Sequence, residues 1–215
     1  MGEPLMELRR RVYRRSIFKD IGLIEFADGH FDEAEQLFKQ ALARDPTHQT
    51  ASVQLGNLDV KQGKFAAALH VLGSALMLKS RDARTLFNLG LAYNGVGQHE
   101  QAVAAFKKSL GLAPFSAAVQ YNLGTLLLKI GDVRGALPPL RAAIQLNPPF
   151  SDARDNLAAA YALLGERDHA LQWLQQAIQL NRSLASEAQR DEDVRSLRSD
   201  PDFAAMTPPS WPEVM

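Results

Sequence analysis

Small and large apolar residues recur along the chain at a constant interval, which is the separation between Gly56 and Gly90. A small residue opens each copy of the pattern. A second small residue follows 12 positions later, a large apolar residue after 16 positions and a third small residue after 19. In the third copy these residues are Gly90, Ala102, Phe106 and Ser109. The apolar residues around them are three or four positions apart, so the pattern predicts two amphipathic helices in each copy.

Five successive copies keep this register. The opening residues are Gly22, Gly56, Gly90, Gly124 and Ala158. The other positions are Ala34, Ala68, Ala102, Ala136 and Ala170, then Phe38, Leu72, Phe106, Leu140 and Leu174, then Ala41, Ala75, Ser109, Ala143 and Ala177. We expect the small residues where the two helices cross closely, with the large side chain filling the space beside them.

Glycine and proline predict where the helices end. The glycines that follow the first helix of each copy are Gly29, Gly63, Gly97, Gly131 and Gly165. We expect them in the left-handed conformation that ends a helix. Three copies close with a proline, at Pro46, Pro114 and Pro148. Pro138 and Pro139 lie inside the second helix of the fourth copy, where the loss of two backbone donors predicts a kink or a late start.

These residues resemble the tetratricopeptide repeat, whose unit is a helical hairpin of about 34 residues. The resemblance implies an all-α fold, a right-handed superhelix (α-solenoid) of five repeats over residues 15–182. The repeats are placed at 15–48, 49–82, 83–116, 117–150 and 151–182. Because terminal repeats need a covered outer face, we expect an N-terminal basic helix or cap at 1–14 and C-terminal capping helices at 183–206. Residues 207–215 read as a flexible, proline-rich tail.

Composition narrows the classes of function. The 24 lysines and arginines balance the 24 aspartates and glutamates, so no net field would recruit nucleic acid. The chain has no cysteine, which excludes disulfides and thiolate metal sites. No apolar run approaches the roughly 18 to 20 residues of a transmembrane helix, and the N-terminal arginines are not followed by the apolar core of a secretory signal. We expect a cytoplasmic protein, with peripheral membrane association at most.

The sequence predicts no catalytic chemistry. The five histidines are His30, His48, His70, His99 and His169, and no two of them share helical spacing with a carboxylate that would complete a metal site. The glycines occur singly rather than in a phosphate-binding loop, and the serines lack the context of a nucleophile elbow. We therefore expect no cofactor, no metal and no enzyme activity.

The resemblance implies a binding surface on the first helices of the repeats, which in this family line a concave groove for a peptide or helix. The candidate peptide-binding residues are Gln54, Asn57, Arg84, Phe87, Asn88, Tyr121, Asn122 and Asn156. Asn88, Asn122 and Asn156 are each one repeat apart and resemble the asparagine ladder of some long arrays. A carboxamide donates and accepts hydrogen bonds at once, so such a row can hold a peptide backbone. Alternatively, the row is structural and bonds within its own helix or to the next repeat.

A basic cluster precedes the first repeat. Arg10, Arg11 and Arg14 lie within it and are candidate contacts for an anionic partner, a membrane surface or RNA. The alternative interpretation is a solvated helical face.

The resemblance implies a non-catalytic scaffold or adaptor, which binds a peptide or helix of a partner protein and supports assembly of a complex. One alternative is a self-assembling structural protein that forms homo-oligomers. Another is a substrate-recognition subunit of an enzyme whose catalytic part is a separate polypeptide. The fold alone does not choose among them.

Overall fold

The computed structural model describes residues 17–78 and 81–208, and every regular element in these ranges is a helix. Five hairpins run in chain order: α1 (17–27) with α2 (Phe31–Arg44), α3 (Gln49–Lys61) with α4 (Phe65–Leu78), α5 (Ala83–Gly95) with α6 (His99–Leu112), α7 (Ala117–Lys129) with α8 (Val133–Leu146), and α9 (Ser151–Leu163) with α10 (Arg167–Leu180). Three short elements follow: α11 (Leu184–Ala188), the 3-10 helix η1 (Glu192–Leu197) and α12 (Pro201–Met206). The predicted all-α fold is confirmed.

The chain divides into two compact units, Met1–Leu112 and Ala113–Met215. Within the described ranges, no helix has both the length and the apolar character needed to cross a membrane. The predicted basic helix at 1–14, with Arg10, Arg11 and Arg14, lies outside the described residues, as do residues 209–215.

Each hairpin closes where its opening small residue meets its large apolar residue. A Cβ atom added to Gly90 would lie 2.4 Å from Cε1 of Phe106, and one added to Gly56 would lie 2.4 Å from Cγ of Leu72. Both large side chains are fully buried, so they have no open space into which to retreat. The predicted close crossing is confirmed.

The turn between the two helices of each hairpin depends on a glycine with positive φ. The φ angles of Gly29, Gly63, Gly97, Gly131 and Gly165 are 84°, 72°, 79°, 83° and 75°. In the third hairpin, the Gly97 N–H donates to the Asn94 carbonyl at 3.1 Å and the Gln98 N–H donates to the Tyr93 carbonyl at 2.8 Å. These bonds satisfy the last carbonyls of α5, and only glycine adopts this backbone conformation without strain. The predicted ends of the first helices are confirmed.

Helix α8 passes through both of its prolines. It spans Val133–Leu146, 14 residues, the same length as α6 and α10, so the late start predicted from Pro138 and Pro139 is wrong. The start is fixed upstream of the prolines, because the Asp132 carboxylate accepts a hydrogen bond of 3.0 Å from the Gly135 N–H. The prolines occupy the sixth and seventh helical positions and remove only two donors from the ladder.

The three short elements after α10 pack back onto the last hairpin. Element η1 packs against α9, whereas α11 and α12 pack against α10. Their buried apolar residues are Leu184, Ala185, Ala188, Val194, Leu197 and Phe203. Arg167, the first residue of α10, forms ion pairs with Asp200 and, at 3.1 Å, with Asp202. These contacts join the end of the described chain to the fifth hairpin.

Thr207 belongs to this packed region, although the sequence analysis places it in the tail. The residue is buried, and its hydroxyl donates a hydrogen bond of 2.8 Å to the Phe203 carbonyl. Its own carbonyl accepts a hydrogen bond from the side-chain amide of Gln189. The packed chain therefore extends at least to Thr207.

Candidate functional site

In the first unit, two of the predicted site residues border one open cavity. Helices α3 and α5 contact each other, and a cavity of about 390 Å³ lies at the ends where they begin. Its lining residues are Gln49, Thr50, Val53, Gln54, Asp82, Ala83 and Arg84. Asp82 is oriented by capping α5, because its carboxylate accepts a hydrogen bond of 2.9 Å from the Thr85 N–H. The cavity thus combines the half-buried amide of Gln54 with the guanidinium of Arg84.

The other predicted residues of the first unit do not line this cavity. The Phe87 ring packs 5.9 Å from the Phe106 ring, within the third hairpin. Asn88 is only 3% exposed, and its side-chain NH₂ group has no acceptor among the described residues. Asn57 is half-buried on α3. Asn88 therefore offers almost no surface to a ligand, and Phe87 has a packing role.

A second cavity of about 390 Å³ lies in the second unit and also contains two predicted residues. Its lining residues are Tyr121, Asp152, Asp155, Asn156, Asn181, Leu184 and Glu187. Tyr121 is supplied by α7, and its ring lies 4.6 Å from the Phe150 ring. Asn156 is supplied by α9 and donates a hydrogen bond of 2.7 Å to the Thr125 hydroxyl. Helix α11 closes one side of the cavity with Leu184 and Glu187.

The three asparagines of the predicted ladder have three different environments. Asn88 is buried, as described above. Asn122 donates a hydrogen bond of 2.8 Å to the Ala118 carbonyl of its own helix, whereas Asn156 bonds to Thr125 of the preceding hairpin. The bonds of Asn122 and Asn156 are of the kinds that the structural interpretation of the row describes, and Asn156 also lines the second cavity.

Burial and neighbouring negative charges shift the pKa values of groups that line the second cavity. Burial raises the pKa of the Asp155 carboxyl to about 7, and the negative charges of Asp191, Glu187 and Asp152 contribute to this rise. Burial also raises the pKa of the Tyr121 hydroxyl. These carboxylates come from α9, from α11 and from the residue before η1, so Asp155 is surrounded by like charges that a cationic group would offset.

Leu184 and Glu187 lie beyond the last copy of the repeat pattern, so periodicity gives no sign of their part in this cavity. They reach it because the chain after α10 turns back over the last hairpin. Asp155 does carry a periodic signal, since it stands one full repeat after Tyr121. Among the residues that the structure describes, no group of three or more histidines, aspartates or glutamates could hold a metal ion.

We expect the substitution Asp155→Asn to stabilise the protein at about pH 8 and to have little effect near pH 4. In the unfolded chain the carboxyl has the ordinary pKa of about 4, whereas in the folded protein it is about 7. Between these values the folded state binds more protons, so this group favours folding increasingly as the pH falls. Each pKa unit corresponds to about 1.4 kcal/mol, so removing the charge should raise the free energy of unfolding by up to about 4 kcal/mol at high pH.

Urea unfolding at a series of pH values measures this difference. Asp28→Asn, the same change at an exposed carboxylate in the turn after α1, is the matched control and should leave the pH profile nearly unchanged. If the free energy of unfolding of Asp155→Asn exceeds that of the wild type by the same amount at every pH, the pKa of the Asp155 carboxyl is not raised in the folded protein.

Comparison with known proteins identifies the repeat. Two models of the tetratricopeptide repeat match, over residues 25–91 and over residues 66–186. A TPR repeat-containing protein of Treponema pallidum (strain Nichols) is 33% identical over 96 residues, or 43% of this chain. The matched region is only 12% of that protein's length.

Solved structures share the fold. MamA has a TM-score of 0.69 at 25% identity, covering 77% of this chain and 97% of the MamA chain. PilF of Pseudomonas aeruginosa has a TM-score of 0.73 at 21% identity, covering 91% of this chain and 90% of its own. YrrB, described as a TPR protein with an unusual peptide-binding site, has a TM-score of 0.68 at 22% identity, covering 81% and 91%.

Proteins with this repeat are generally non-catalytic scaffolds that bind protein or peptide partners. The second model match alone spans more than half of the chain and includes the third, fourth and fifth copies of the periodic pattern. The chain belongs to the tetratricopeptide repeat family.

Proposed function

We propose that this protein is a non-catalytic interaction scaffold, which binds a segment of a partner protein on the first helices of its repeats and so supports assembly of a complex. The observation that carries the proposal is that each unit has a polar cavity of about 390 Å³ on these helices. Gln54 and Arg84 line one cavity, and Tyr121 and Asn156 line the other. The fold is one on which a peptide-binding site is known, since the YrrB structure is described by such a site.

The lining of both cavities suits a peptide. Gln54 and Asn156 carry amides that can donate to a peptide carbonyl or accept from a peptide N–H. Pockets of this size hold one or a few side chains, which supply specificity, while backbone hydrogen bonds supply part of the affinity. The two cavities thus offer pockets for side chains and amides for backbone hydrogen bonds, which are the two kinds of contact that peptide recognition requires.

The charges of the second cavity indicate which segment it would accept. Asp152, Asp155 and Glu187 line it, and Asp191 adds to the negative potential at Asp155. A lysine or arginine of the partner would offset the repulsion among these carboxylates, whereas an acidic segment would increase it. We therefore propose that the partner segment is basic where it meets the second unit.

Selection of a random peptide display library against the wild-type protein supplies the probes for a test. We expect the selected peptides to be enriched in lysine or arginine. Their affinity, measured by fluorescence anisotropy, should fall at least about tenfold in Asn156→Ala and in the double variant Gln54→Ala with Arg84→Ala, the size expected for central contact residues.

The double variant Arg134→Ala with Gln145→Ala is the matched control, because both residues are exposed on α8, a second helix. It should bind the selected peptides as the wild type does. Circular dichroism of each variant establishes that the helices are intact. Wild-type affinity in the folded cavity variants would refute the proposed binding surface.

A further inference from the structure

The second cavity contains one carboxyl group that has no hydrogen-bond donor. Asp155 lies on α9 and is half-buried where it lines the cavity. Within residues 17–78 and 81–208, no N–H or hydroxyl group donates to this carboxyl, and no lysine or arginine forms an ion pair with it. A partly buried carboxylate is unfavourable without a donor or a cation. This group therefore gains most from a proton, or from a positive charge that a ligand supplies.

The three carboxylates around Asp155 differ from it, because each of them accepts a hydrogen bond from a donor close by in the chain. These bonds run from the Ser151 hydroxyl to Asp152 at 2.9 Å, from the Ser183 hydroxyl to Glu187 at 3.1 Å, and from the Asp193 N–H to Asp191 at 2.9 Å. Asp152 and Glu187 are also exposed to water. Donors and water thus solvate the three neighbours, whereas the Asp155 carboxyl depends on what enters the cavity.

The basic side chains on the elements around α9 have other partners. Their bonds run from Arg154 to the Gln176 side chain and the Phe150 carbonyl, from Arg141 of α8 to the Tyr161 hydroxyl, and from Arg198 to the Asp191 carbonyl and Glu192. Arg182, which follows Asn181, also has a partner within the chain. Tyr121 supplies a hydroxyl from α7 whose pKa is raised by burial, so it stays uncharged. A cation for Asp155 has to come from a ligand.

The pKa of Asp155 reflects these surroundings. Burial raises it to about 7, and the charges of Asp191, Glu187 and Asp152 act in the same direction. Near neutral pH the folded protein is therefore divided between a form with a protonated Asp155 and a form with an ionised one. The proton and a ligand cation relieve the same repulsion, so the two compete for one place in the cavity.

We propose that the second cavity exchanges a proton on Asp155 for a lysine or arginine side chain of the partner, so that binding to the second unit weakens as the pH falls. This inference rests on the proposed function, because it concerns the same cavity and the same basic segment. On binding, the O–H bond of the carboxyl breaks, the proton passes to the solvent, and the carboxylate faces the incoming cation. Lysine and arginine stay charged up to about pH 10, so the pH dependence arises in the cavity and not in the ligand.

Proton linkage gives the expected size of the effect. The free protein binds more protons than the complex below neutral pH, so the affinity must rise with pH in that range. With a carboxyl that titrates at about 7 in the free protein, the affinity should be nearly constant above about pH 8. It should be up to about 30-fold lower at about pH 5.5.

Fluorescence anisotropy at these two pH values tests the exchange. The probe is a lysine- or arginine-containing peptide from the display selection whose affinity falls in Asn156→Ala, labelled with a rhodamine dye that does not titrate in this range. Asp155→Asn should lose most of the pH dependence and bind no more tightly than the wild type does at about pH 5.5. Asp28→Asn, the same change at an exposed carboxylate of the first unit, is the matched control and should keep the wild-type pH dependence.

Glu187→Gln separates an electrostatic effect from a structural one. It removes one of the charges that raise the pKa of Asp155, so the midpoint of the pH dependence should move to lower pH. Circular dichroism at both pH values establishes that the helices are intact. An unchanged midpoint in this folded variant would show that the group that titrates is not Asp155 in its acidic surroundings.

Isothermal titration calorimetry counts the released proton. Binding measured at about pH 6 in two buffers of different ionisation enthalpy should show release of about one proton per peptide, and close to none in Asp155→Asn. If a peptide that needs Asn156 binds with equal affinity at both pH values and releases no proton, the exchange is overturned and the proposed function stands. If no selected peptide depends on Asn156, the proposed binding surface of the second unit and the exchange are both refuted.

Discussion

Deletion of residues 183–215 should lower the melting temperature and cause the protein to aggregate. We propose that α11, η1 and α12 cap the array, because they bury Leu184, Val194, Leu197 and Phe203 against the last hairpin. Without them the outer side of that hairpin would face water, which the terminal repeat of a solenoid cannot tolerate without a polar face. Calorimetry and light scattering measure the two effects. A truncated protein as soluble and as stable as the parent would refute the capping role.

The loss of stability on deletion of residues 183–215 should be confined mainly to the hairpin that the cap contacts. Repeat arrays gain stability from nearest-neighbour contacts, so the first unit should keep most of its protection when the cap is removed. Hydrogen exchange resolved by segment can show this. Protection should fall first in α9 and α10, and uniform loss along the chain would contradict a cap that acts on its neighbour.

A single substitution tests the same packing without shortening the chain. Phe203→Ala removes a ring that is 3% exposed on α12 and should cost about 3 kcal/mol. Phe115→Ala makes the identical change at a position that is 86% exposed and should cost less than about 0.5 kcal/mol. Equal effects of the two substitutions would show that α12 does not pack as described.

The substitution Gly90→Ala should destabilise the third hairpin, although alanine is the better helix former. The added Cβ would lie 2.4 Å from Cε1 of Phe106, a ring that is fully buried and packed against Phe87. Relief requires α5 and α6 to move apart. We expect a net loss of about 2 kcal/mol from overpacking, measured by urea unfolding.

Gly73→Ala is the control for that prediction. Gly73 also lies inside a helix, α4, but a Cβ there would meet no atom within 4 Å. This substitution should stabilise the protein by about 0.5 to 1 kcal/mol, the ordinary gain of alanine over glycine in a helix. If both substitutions stabilise, the close crossing at Gly90 does not limit the packing.

The sequence predicted the hairpins well because their determinants are local and repeated. The crossing of Gly90 with Phe106 and the turn at Gly97 each depend on residues of a single hairpin. The same interpretation of the pattern therefore applies to all five hairpins. The prediction of a late start for α8 was wrong, and the reason is also local. The cap at Asp132 outweighs the donors lost at the two prolines.

The candidate site was harder to predict because its determinants are not periodic. Equal spacing suggested equal roles for Asn88, Asn122 and Asn156, but their neighbours differ, and so do their burial and their bonds. The second cavity depends on Glu187, which reaches it only through the fold of the segment after α10. Contacts made by a segment outside the repeat leave no mark in the pattern of the repeat itself.

The pairing of small and large residues at each crossing has a consequence for how such an array can change over generations. The last hairpin has Ala158 and Leu174 at the positions of Gly90 and Phe106, and both are fully buried. A Cβ atom added to Gly56 would nevertheless clash with Leu72, so leucine alone does not make room for an alanine, and the spacing of each pair of helices is matched to its own residues. Duplication or exchange of whole hairpins preserves such matched pairs, whereas recombination within a hairpin, joining a helix with alanine to one with phenylalanine, would separate them. The hairpin, rather than the single helix, is therefore the heritable unit of this fold.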